Sequence, residues 1–536
     1  MYFLPYAALL VPLAFISLAP ASLAASADQW RSRSIYQVIV DRYALSSGAS
    51  SSDCGPGSRT WCGGTWNSLR ENLDYIQDAG FTAVWISPVS QNYEGPTTPY
   101  GDPYHGYWIA DATKLNSHFG TSDDLKALSD ELHRRGMYLM VDVVVNDVMA
   151  TSTNLTDLST YMFKDPSQYH PYCTIDWNNS TSIEQCWLGD TVVPLPDINT
   201  EDSTVVSGFG DWIESLVQEY CIDGLRIDAA KHVNKNFWPR FCAKAGVFCI
   251  GEVFGSDVNE AASFQGPDAL DAVLHYPMYN ALVEAFTIPG PLNTSAVSDM
   301  MAQSKASFKD TGLLGNFIEN QDIPRWYNIS VDPQSLYNAM VFNFMSDGIP
   351  IVYYGQEQYS NGNADPYNRA PLWPTDYANT TAYQLITALN KFRNFLVKDS
   401  AWLYSSAEVL AATEYGLAIK KGNVISIMTN IGSPPNNVSV PVYTPFPVET
   451  NLINILTCTP WAVGSNGTVD VEYTLGGQPV ILLPESDLAN SGFCGYLNST
   501  VSNKYVSGAR SAHAQSGNVV WMIVMGLLGL VYLSLW

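Results

Sequence analysis

The sequence is poor in positive charge. It contains 26 Lys and Arg residues against 51 Asp and Glu residues, which gives a formal net charge of −25. Because an acidic surface repels phosphate backbones, we predict that the protein does not bind nucleic acid. We find no internal repeat. The chain of 536 residues is long enough for a large core and more than one domain.

Long apolar runs are confined to the two ends of the chain. Residues 1–24 are apolar, carry no Lys or Arg and end in small residues, which predicts a secretory signal peptide. The last run, 519–536, follows a polar stretch and the small residues around Ser507. This pattern predicts a GPI signal, with attachment near Ser507, a stalk over 497–518 and removal of the tail. A tail-anchored helix is the alternative, although no basic flank accompanies it. We expect a protein held at the plasma membrane or cell wall.

Cysteines are few, and their number is odd. Nine are present, and in an oxidising compartment they predict disulfides with one thiol left over. Acceptor sequences for N-glycosylation support the same compartment. They occur at Asn154, Asn178, Asn179, Asn293, Asn328, Asn379, Asn437, Asn466 and Asn498.

Short apolar runs alternate with amphipathic segments over the first four hundred residues. One helix is predicted over Ser122–Arg135, with Ser122 as its cap and Gly136 as its end. Eight strands separated by helices predict an α/β fold, a (β/α)8 TIM barrel, with a doubly wound open sheet as the alternative. The candidate strands are Ile35–Val40, Ala83–Ser87, Tyr138–Val145, Gly224–Asp228, Phe248–Val253, Ala272–His275, Leu314–Glu319 and Ile349–Tyr354.

Two changes in the sequence pattern indicate how the chain is divided into domains. Residues 146–200 form a long connection with little periodicity, and such connections within a compact domain are usually functional. We interpret it as a small domain inserted after the third strand of a barrel over 25–403. Alternating segments over 404–496 predict a C-terminal antiparallel β-sandwich.

Three carboxylates follow candidate strands, namely Asp228, Glu252 and Asp322. In a parallel barrel, functional sites lie at the carboxyl ends of the strands. Asp228 and Glu252 belong to neighbouring strands about 4.8 Å apart, and retaining glycosidases place two carboxyl groups about 5–5.5 Å apart. Arg226 points to the same side as Asp228 and can hold its carboxylate ionised. Acids at strand ends can also be helix caps, but three beside one arginine favour a site.

Several motifs now identify a family. They are "YGDPYHGYW" at 100–108, "DVVVND" at 142–147, "LPDIN" at 195–199, "GLRIDAAKH" at 224–232, "GEV" at 251–253, "FIENQD" at 317–322 and "GIPIVYYGQE" at 348–357. Together they resemble the fungal α-amylases of glycoside hydrolase family 13, over nearly the whole mature chain. GPI-anchored members of that family look like 4-α-glucanotransferases of wall α-glucan. The resemblance implies a barrel, an inserted domain B and a β-sandwich domain C.

The resemblance also implies roles for individual residues. Asp228 would be the nucleophile, Glu252 the acid/base, and Asp322 the residue that grips and distorts the bound sugar. Arg226 would orient the nucleophile. Other expected contacts to the α-1,4-glucan or maltooligosaccharide are Tyr100, His105, Tyr107 and Trp108 on the donor side, Lys231 and His232 on the acceptor side, and Asp365 and Arg369 further out.

A structural Ca²⁺ is the cofactor that the resemblance implies. Its ligands would be Asn146, Glu184, Asp197 and the main-chain carbonyl of His232, all hard oxygen donors. The sequence departs from the family at Asp147 and Gln321, where histidines normally contact the glucose being cleaved. We therefore expect different hydrogen bonds to the donor sugar.

Cysteine pairings follow from the same resemblance: Cys54–Cys62, Cys173–Cys186 and Cys458–Cys494. Cys221, Cys242 and Cys249 are left, and one of these three is expected to be free.

Three functions remain open. The first is a monomeric surface enzyme that cleaves α-1,4-glucan and transfers the piece to another glucan. The others are a hydrolytic α-amylase and a non-catalytic glucan-binding wall protein.

Overall fold

The structure is a computed structural model that describes residues 25–48, 54–290 and 293–496. The predicted signal peptide, stalk, attachment site at Ser507 and apolar tail lie outside the described residues. Across those three ranges, no helix combines the length and the apolar character needed to cross a membrane.

A closed barrel of eight parallel strands forms the centre of the molecule. The strands are β1 (Ile35–Val38), β2 (Ala83–Ile86), β3 (Tyr138–Val143), β4 (Gly224–Ile227), β5 (Phe248–Gly251), β6 (Ala272–Val273), β7 (Gly315–Asn316) and β8 (Ile349–Tyr353). Neighbours pair in the order β6-β5-β4-β3-β2-β1-β8-β7, and a parallel bridge between Leu274 and Gly315 joins the two ends. The predicted barrel is thus confirmed and the open sheet is excluded.

Helices cover the outside of this barrel, so most of its strand residues are buried on both faces. This explains the nearly continuous apolar runs in the sequence. The longer helices are Trp66–Glu71, Leu73–Asp78, Ser122–Arg134, Ser203–Tyr220, Trp238–Ala245, Tyr276–Phe286, Ser295–Ser307, Pro333–Met345 and Thr381–Leu396.

Several predicted boundaries were wrong. Thr121, not Ser122, caps the third of these helices, because its hydroxyl accepts from the Asp124 amide in a capping box. Strands β6 and β7 each span two residues instead of the longer runs predicted. His275 already precedes a helix with Pro277 in its first turn. Glu319 lies beyond the end of β7, and its carboxylate accepts a bond of 2.8 Å from the main-chain nitrogen of Trp326.

The connection after β3 is tied back to the strand end. The main-chain nitrogen of Ile198 donates to the Asn146 carbonyl at 2.8 Å, and Val148 donates to Pro196. A short helix, Ser180–Gln185, and a small hairpin of Leu188–Gly189 with Pro194–Leu195 lie within this connection. The "VVVND" and "LPDIN" motifs are therefore adjacent at the mouth of the barrel.

The C-terminal part consists of antiparallel sheets, as predicted. One has six strands, and Ser439–Tyr443 pairs with Thr468–Glu472 in a second. Apolar residues of both sheets form one buried cluster. The six strands are Glu408–Ala412, Gly416–Lys421, Val424–Thr429, Val480–Pro484, Asn451–Asn454 and Thr459–Ala462.

Candidate active site

The buried Arg226 contacts three carboxyl groups at the carboxyl end of the barrel. Arg226 lies on β4 directly opposite Asp142 of β3, and its side chain has no exposed surface. Its Nη1 lies 2.9 Å from Asp142 Oδ1 and 2.7 Å from Asp228 Oδ1, and its Nη2 lies 2.9 Å from Glu252 Oε2. Asp228 and Glu252 are thus held on one guanidinium group. Burial raises the pKa of Asp228, and the positive charge of Arg226 offsets part of this increase.

Glu252 has neutral donors around its carboxyl group. The Tyr276 hydroxyl donates to Oε1 at 3.0 Å, and the main-chain nitrogen of Ala229 donates to Oε2 at 3.1 Å. Tyr276 in turn accepts a bond of 2.9 Å from Asn320 Nδ2. These contacts fix the orientation of the group that the sequence assigns to proton transfer.

Asp322 lies beside the same pair. Burial, followed by the negative charge of Glu252, raises its pKa to about 6. Arg369 Nη2 is 3.2 Å from Asp322 Oδ1, and Arg369 Nη1 is 3.3 Å from Asp365 Oδ1. Tyr104 also donates to Asp365 at 2.8 Å. Arg369 therefore links Asp365, the other predicted outer contact, to Asp322.

An aromatic group lines the other side of Arg226. Tyr107 donates to Asp142 Oδ2 at 2.8 Å, and its ring stacks on His105 at 5.7 Å between centroids. His105 Nδ1 accepts from the Tyr107 amide, which leaves the ring proton on Nε2. Burial lowers the His105 pKa well below its usual value, so the ring is a neutral donor. Trp108 meets the same ring edge-on at 5.0 Å.

Tyr100 stands apart from this group. Its side chain is 43% exposed, and its hydroxyl donates to Asp190 Oδ2 at 2.5 Å. Asp190 belongs to the long connection after β3, so Tyr100 joins that connection to the barrel and keeps a free ring surface.

The two departures from the family motif both lie at the site. Gln321 is buried, and its amide is used at both ends: Oε1 accepts from Gln37 Nε2 at 2.5 Å, and Nε2 donates to the Tyr107 hydroxyl at 3.2 Å. Asp147 is also buried and accepts from Asn146 Nδ2 at 3.1 Å. Its charge contributes to the raised pKa of Asp228.

Lys231 and His232 follow the nucleophile. Lys231 Nζ is 2.9 Å from Glu260 Oε2, and its main-chain nitrogen donates to the Glu252 carbonyl at 3.3 Å. The His232 ring is met edge-on by Trp177 at 5.8 Å, and Trp177 is 62% exposed. Phe254, 52% exposed, packs on Tyr276 at 4.8 Å. Two open aromatic rings therefore flank this side of the acids.

Two of the expected metal ligands have unpaired buried oxygens. Asn146 Oδ1 and Asp197 Oδ1 are inaccessible and accept no hydrogen bond, which is costly unless a cation is bound. Asp197 Oδ2 faces His170 Nδ1 at 2.6 Å. Glu184 follows Ile183, whose carbonyl lies 2.9 Å from His232 Nδ1, so the Glu184 main chain lies beside His232. Within the described ranges, no cluster of three or more His, Cys, Asp or Glu could hold a metal alone. Amide and main-chain oxygens would have to complete the site.

Three disulfides are present in the structure: Cys54–Cys62, Cys173–Cys186 and Cys458–Cys494. They match the pairings implied by the resemblance. The second lies within the connection after β3.

Sequence reasoning missed several residues of the site. Asp142 sits in the middle of an apolar strand, and the only signal for it was a charge within "DVVVND". Tyr276, Asn320 and Gln37 act through contacts between distant parts of the chain. Trp177 lies in a segment without periodicity, so no pattern marked it.

Comparison with known proteins agrees with this geometry. A family model described as the α-amylase catalytic domain matches residues 37–391, and one for α-amylase domain C matches 409–502. The chain is 41% identical over 492 residues to "Alpha-amylase 2" of Schwanniomyces occidentalis, covering 90% of this chain and 96% of that protein. It is 39% identical over 481 residues to "Alpha-amylase 1" of Schizosaccharomyces pombe, covering 88% and 76%.

Among solved structures, an α-amylase from Malbranchea cinnamomea matches with a TM-score of 0.83 at 40% identity. The match covers 88% of this chain and all of that one. By fold, by sequence and by the arrangement of its acids, the chain belongs to the α-amylase family, glycoside hydrolase family 13.

Proposed function

We propose that this protein cleaves internal α-1,4-glucosidic bonds with retention and transfers the chain that remains bound to the enzyme to another glucan. The observation that carries the proposal is the shared contact of Asp228 and Glu252 with Arg226, at 2.7 and 2.9 Å. One guanidinium group keeps two carboxyl groups close enough for a double displacement. The intact acids also argue against a protein that only binds glucan.

The reaction has two steps. Asp228 attacks the anomeric carbon and forms an ester bond with it, while Glu252 gives its proton to the leaving glycosidic oxygen. An acceptor hydroxyl then attacks the same carbon. Glu252 takes the acceptor's proton, the new glycosidic bond forms, and Asp228 is released as a carboxylate.

Transfer over hydrolysis is supported by the two altered positions. The Gln321 amide is already bonded to Gln37 and Tyr107, and Asp147 is a buried carboxyl group that accepts from Asn146. Neither offers the imidazole N–H that family members present to the glucose. Losing donors weakens stabilisation of every transition state. A glucan acceptor offsets part of this loss through its own binding energy, whereas water cannot.

Hydrolysis is the second candidate, and the relatives favour it. Those at 38–42% identity are named α-amylases. Incubation of the purified protein with one maltooligosaccharide separates the two. Products longer than the substrate mean transfer, only shorter products mean hydrolysis, and no products mean binding alone.

We expect the double variant Asp147→His with Gln321→His to raise the ratio of hydrolysis to transfer several-fold. Two restored N–H donors would stabilise the transition states of both reactions. Hydrolysis should gain more, because water has no binding energy of its own to offset their loss. The measurement is reducing-end release against formation of longer oligosaccharides. A double variant with Leu at both positions has no side-chain N–H donor; it is the matched control and should leave the ratio low. An unchanged ratio in the histidine variant would contradict this role for Asp147 and Gln321.

The exposed ring of Trp177 offers a surface for the acceptor sugar. We expect Trp177→Ala to lower the rate of transfer about tenfold at low acceptor concentration, because the acceptor sugar can no longer stack on the indole ring. Tyr443→Ala removes an aromatic that is 70% exposed on a C-terminal strand and should have no effect. Transfer that responds equally to both changes would exclude an acceptor platform at Trp177.

We further propose that Ca²⁺ binds through Asn146 Oδ1 and Asp197 Oδ1, with Glu184 and the His232 carbonyl as the remaining ligands. When bound, the ion supplies the positive charge that these buried oxygens lack. It would thereby join the connection after β3 to β4.

Chelation with EGTA should therefore lower the Tm, because an ion bound only to the native state stabilises it by about 2.7 kcal/mol at a hundred times its Kd. Adding Ca²⁺ back should restore the Tm. Asp197→Asn should abolish the shift. Asp190→Asn, an exposed change in the same connection, should preserve it. A Tm that is insensitive to EGTA, in a protein free of calcium by elemental analysis, would refute the site.

The proposed location is the cell surface, through the predicted signal peptide and GPI anchor. Three disulfides in the described residues support an oxidising compartment. An anchored enzyme would remain beside growing wall α-glucan, which is both donor and acceptor for the transfer reaction.

A further inference from the structure

Three of the nine cysteines are thiols in the structure: Cys221, Cys242 and Cys249. They differ in their surroundings. Cys221 is exposed, Cys242 is half-buried, and Cys249 is fully buried. A secreted chain with three disulfides already formed passes through conditions in which neighbouring thiols oxidise.

Cys242 and Cys249 are neighbours in space as well as in sequence. Cys242 lies on the helix Trp238–Ala245, which ends at Gly246 with φ +67°. The left-handed residue reverses the chain directly into β5, where Cys249 is the second residue. Cys249 belongs to the buried apolar cluster outside the barrel strands, and Cys242 packs against that same cluster, whereas the flanking Phe248 and Ile250 belong to a different cluster. Burial, followed by the neighbouring Cys242 thiol, raises the pKa of Cys249. Cys249 Sγ also lies 3.7 Å from the Val247 carbonyl, within the same turn.

Cys221 has no such partner. It ends the helix Ser203–Tyr220 in a left-handed conformation, with φ +50°. In the part of the chain that the structure describes, no hydrogen bond or disulfide links Cys221 to either of the other two thiols.

We propose that Cys242 and Cys249 form a fourth disulfide in the mature protein, which leaves Cys221 as its single free thiol. Oxidation removes two protons and two electrons from the pair and forms one S–S bond. A small disulfide, such as oxidised glutathione, accepts the two protons and two electrons and is reduced to two thiols. Cys242 lines an open groove with Gly246 and Phe248, so such an oxidant can reach it.

The bond would act on the strand that carries the acid/base. β5 ends at Gly251, directly before Glu252. Cross-linking Cys249 to the preceding helix would close a short loop and limit separation of that helix from the strand. The inference does not depend on whether the enzyme transfers or hydrolyses.

The test is peptide mass spectrometry of the full-length protein secreted from a eukaryotic host. The protein is denatured without reductant, alkylated with iodoacetamide and digested with trypsin. Lys244 lies between the two cysteines, so trypsin places them on separate peptides that stay linked only by a disulfide. We expect one alkylated cysteine, Cys221, and one linked pair containing Cys242 and Cys249.

Variants make the assignment specific. Cys242→Ser should expose Cys249 to alkylation after denaturation, and Cys249→Ser should expose Cys242 in the same way. Cys221→Ser should leave no alkylated cysteine and keep the linked pair. Alkylation of all three cysteines in the secreted protein, or a linked peptide that contains Cys221, would overturn the proposal.

Discussion

Asp228→Asn is expected to reduce turnover by about four or more orders of magnitude, and Glu252→Gln by about two to four. An amide at 228 cannot form the ester with the sugar. An amide at 252 cannot protonate the leaving oxygen. Both changes keep the size of the side chain and leave Arg226 two of its three carboxyl partners, so the fold should survive. Circular dichroism and a melting curve check this.

The choice of substrate separates the two roles. A glucosyl donor whose leaving group departs without protonation should restore the first step in Glu252→Gln but not in Asp228→Asn. Asp190→Asn is the matched control, since Asp190 is exposed and bonded to Tyr100. Near-normal turnover of maltooligosaccharide in either acid variant would reject the assignment of the site.

The sequence predicted the fold and the grouping of three acids at one end of the barrel because both depend on local patterns. Buried parallel strands are continuous apolar runs, and residues after such strands meet at one end of a barrel. Asp228, Glu252 and Asp322 could be recognised for that reason. The short lengths of β6 and β7 were not recognised. A helix begins at Tyr276, soon after β6, and the Glu319 carboxylate after β7 accepts from the Trp326 main chain, a contact that no periodicity records.

Partners of the acids were not predictable from local patterns. Asp142 contacts Arg226 only because β3 and β4 pair in one register. Tyr276 reaches Glu252 from the helix after β6, and Gln37 reaches Gln321 across the barrel from β1. Each of these contacts depends on the closed barrel, which brings distant residues to one end.

Arg226→Lys is the second change with a large expected effect, and it tests the centre of the site. Lysine keeps the positive charge but cannot reach Asp142, Asp228 and Glu252 together as the planar guanidinium group does. Breaking a buried ion pair costs about 3–5 kcal/mol of stability. Losing a positioned donor typically costs about 10²–10³ in kcat. We therefore expect both a lower Tm and a much lower kcat.

The pH profile distinguishes a catalytic effect from a structural one. Arg226 lowers the pKa of Asp228, so a weaker contact at this position raises that pKa. More Asp228 is then protonated at a given pH, and the acid limb of kcat/KM should move to higher pH. Arg325→Lys is the matched control, because Arg325 is equally buried and pairs with Glu319 at 3.0 Å. That variant should lose stability without moving the acid limb. An unmoved acid limb in Arg226→Lys would mean that Arg226 only stabilises the fold and does not keep the nucleophile ionised.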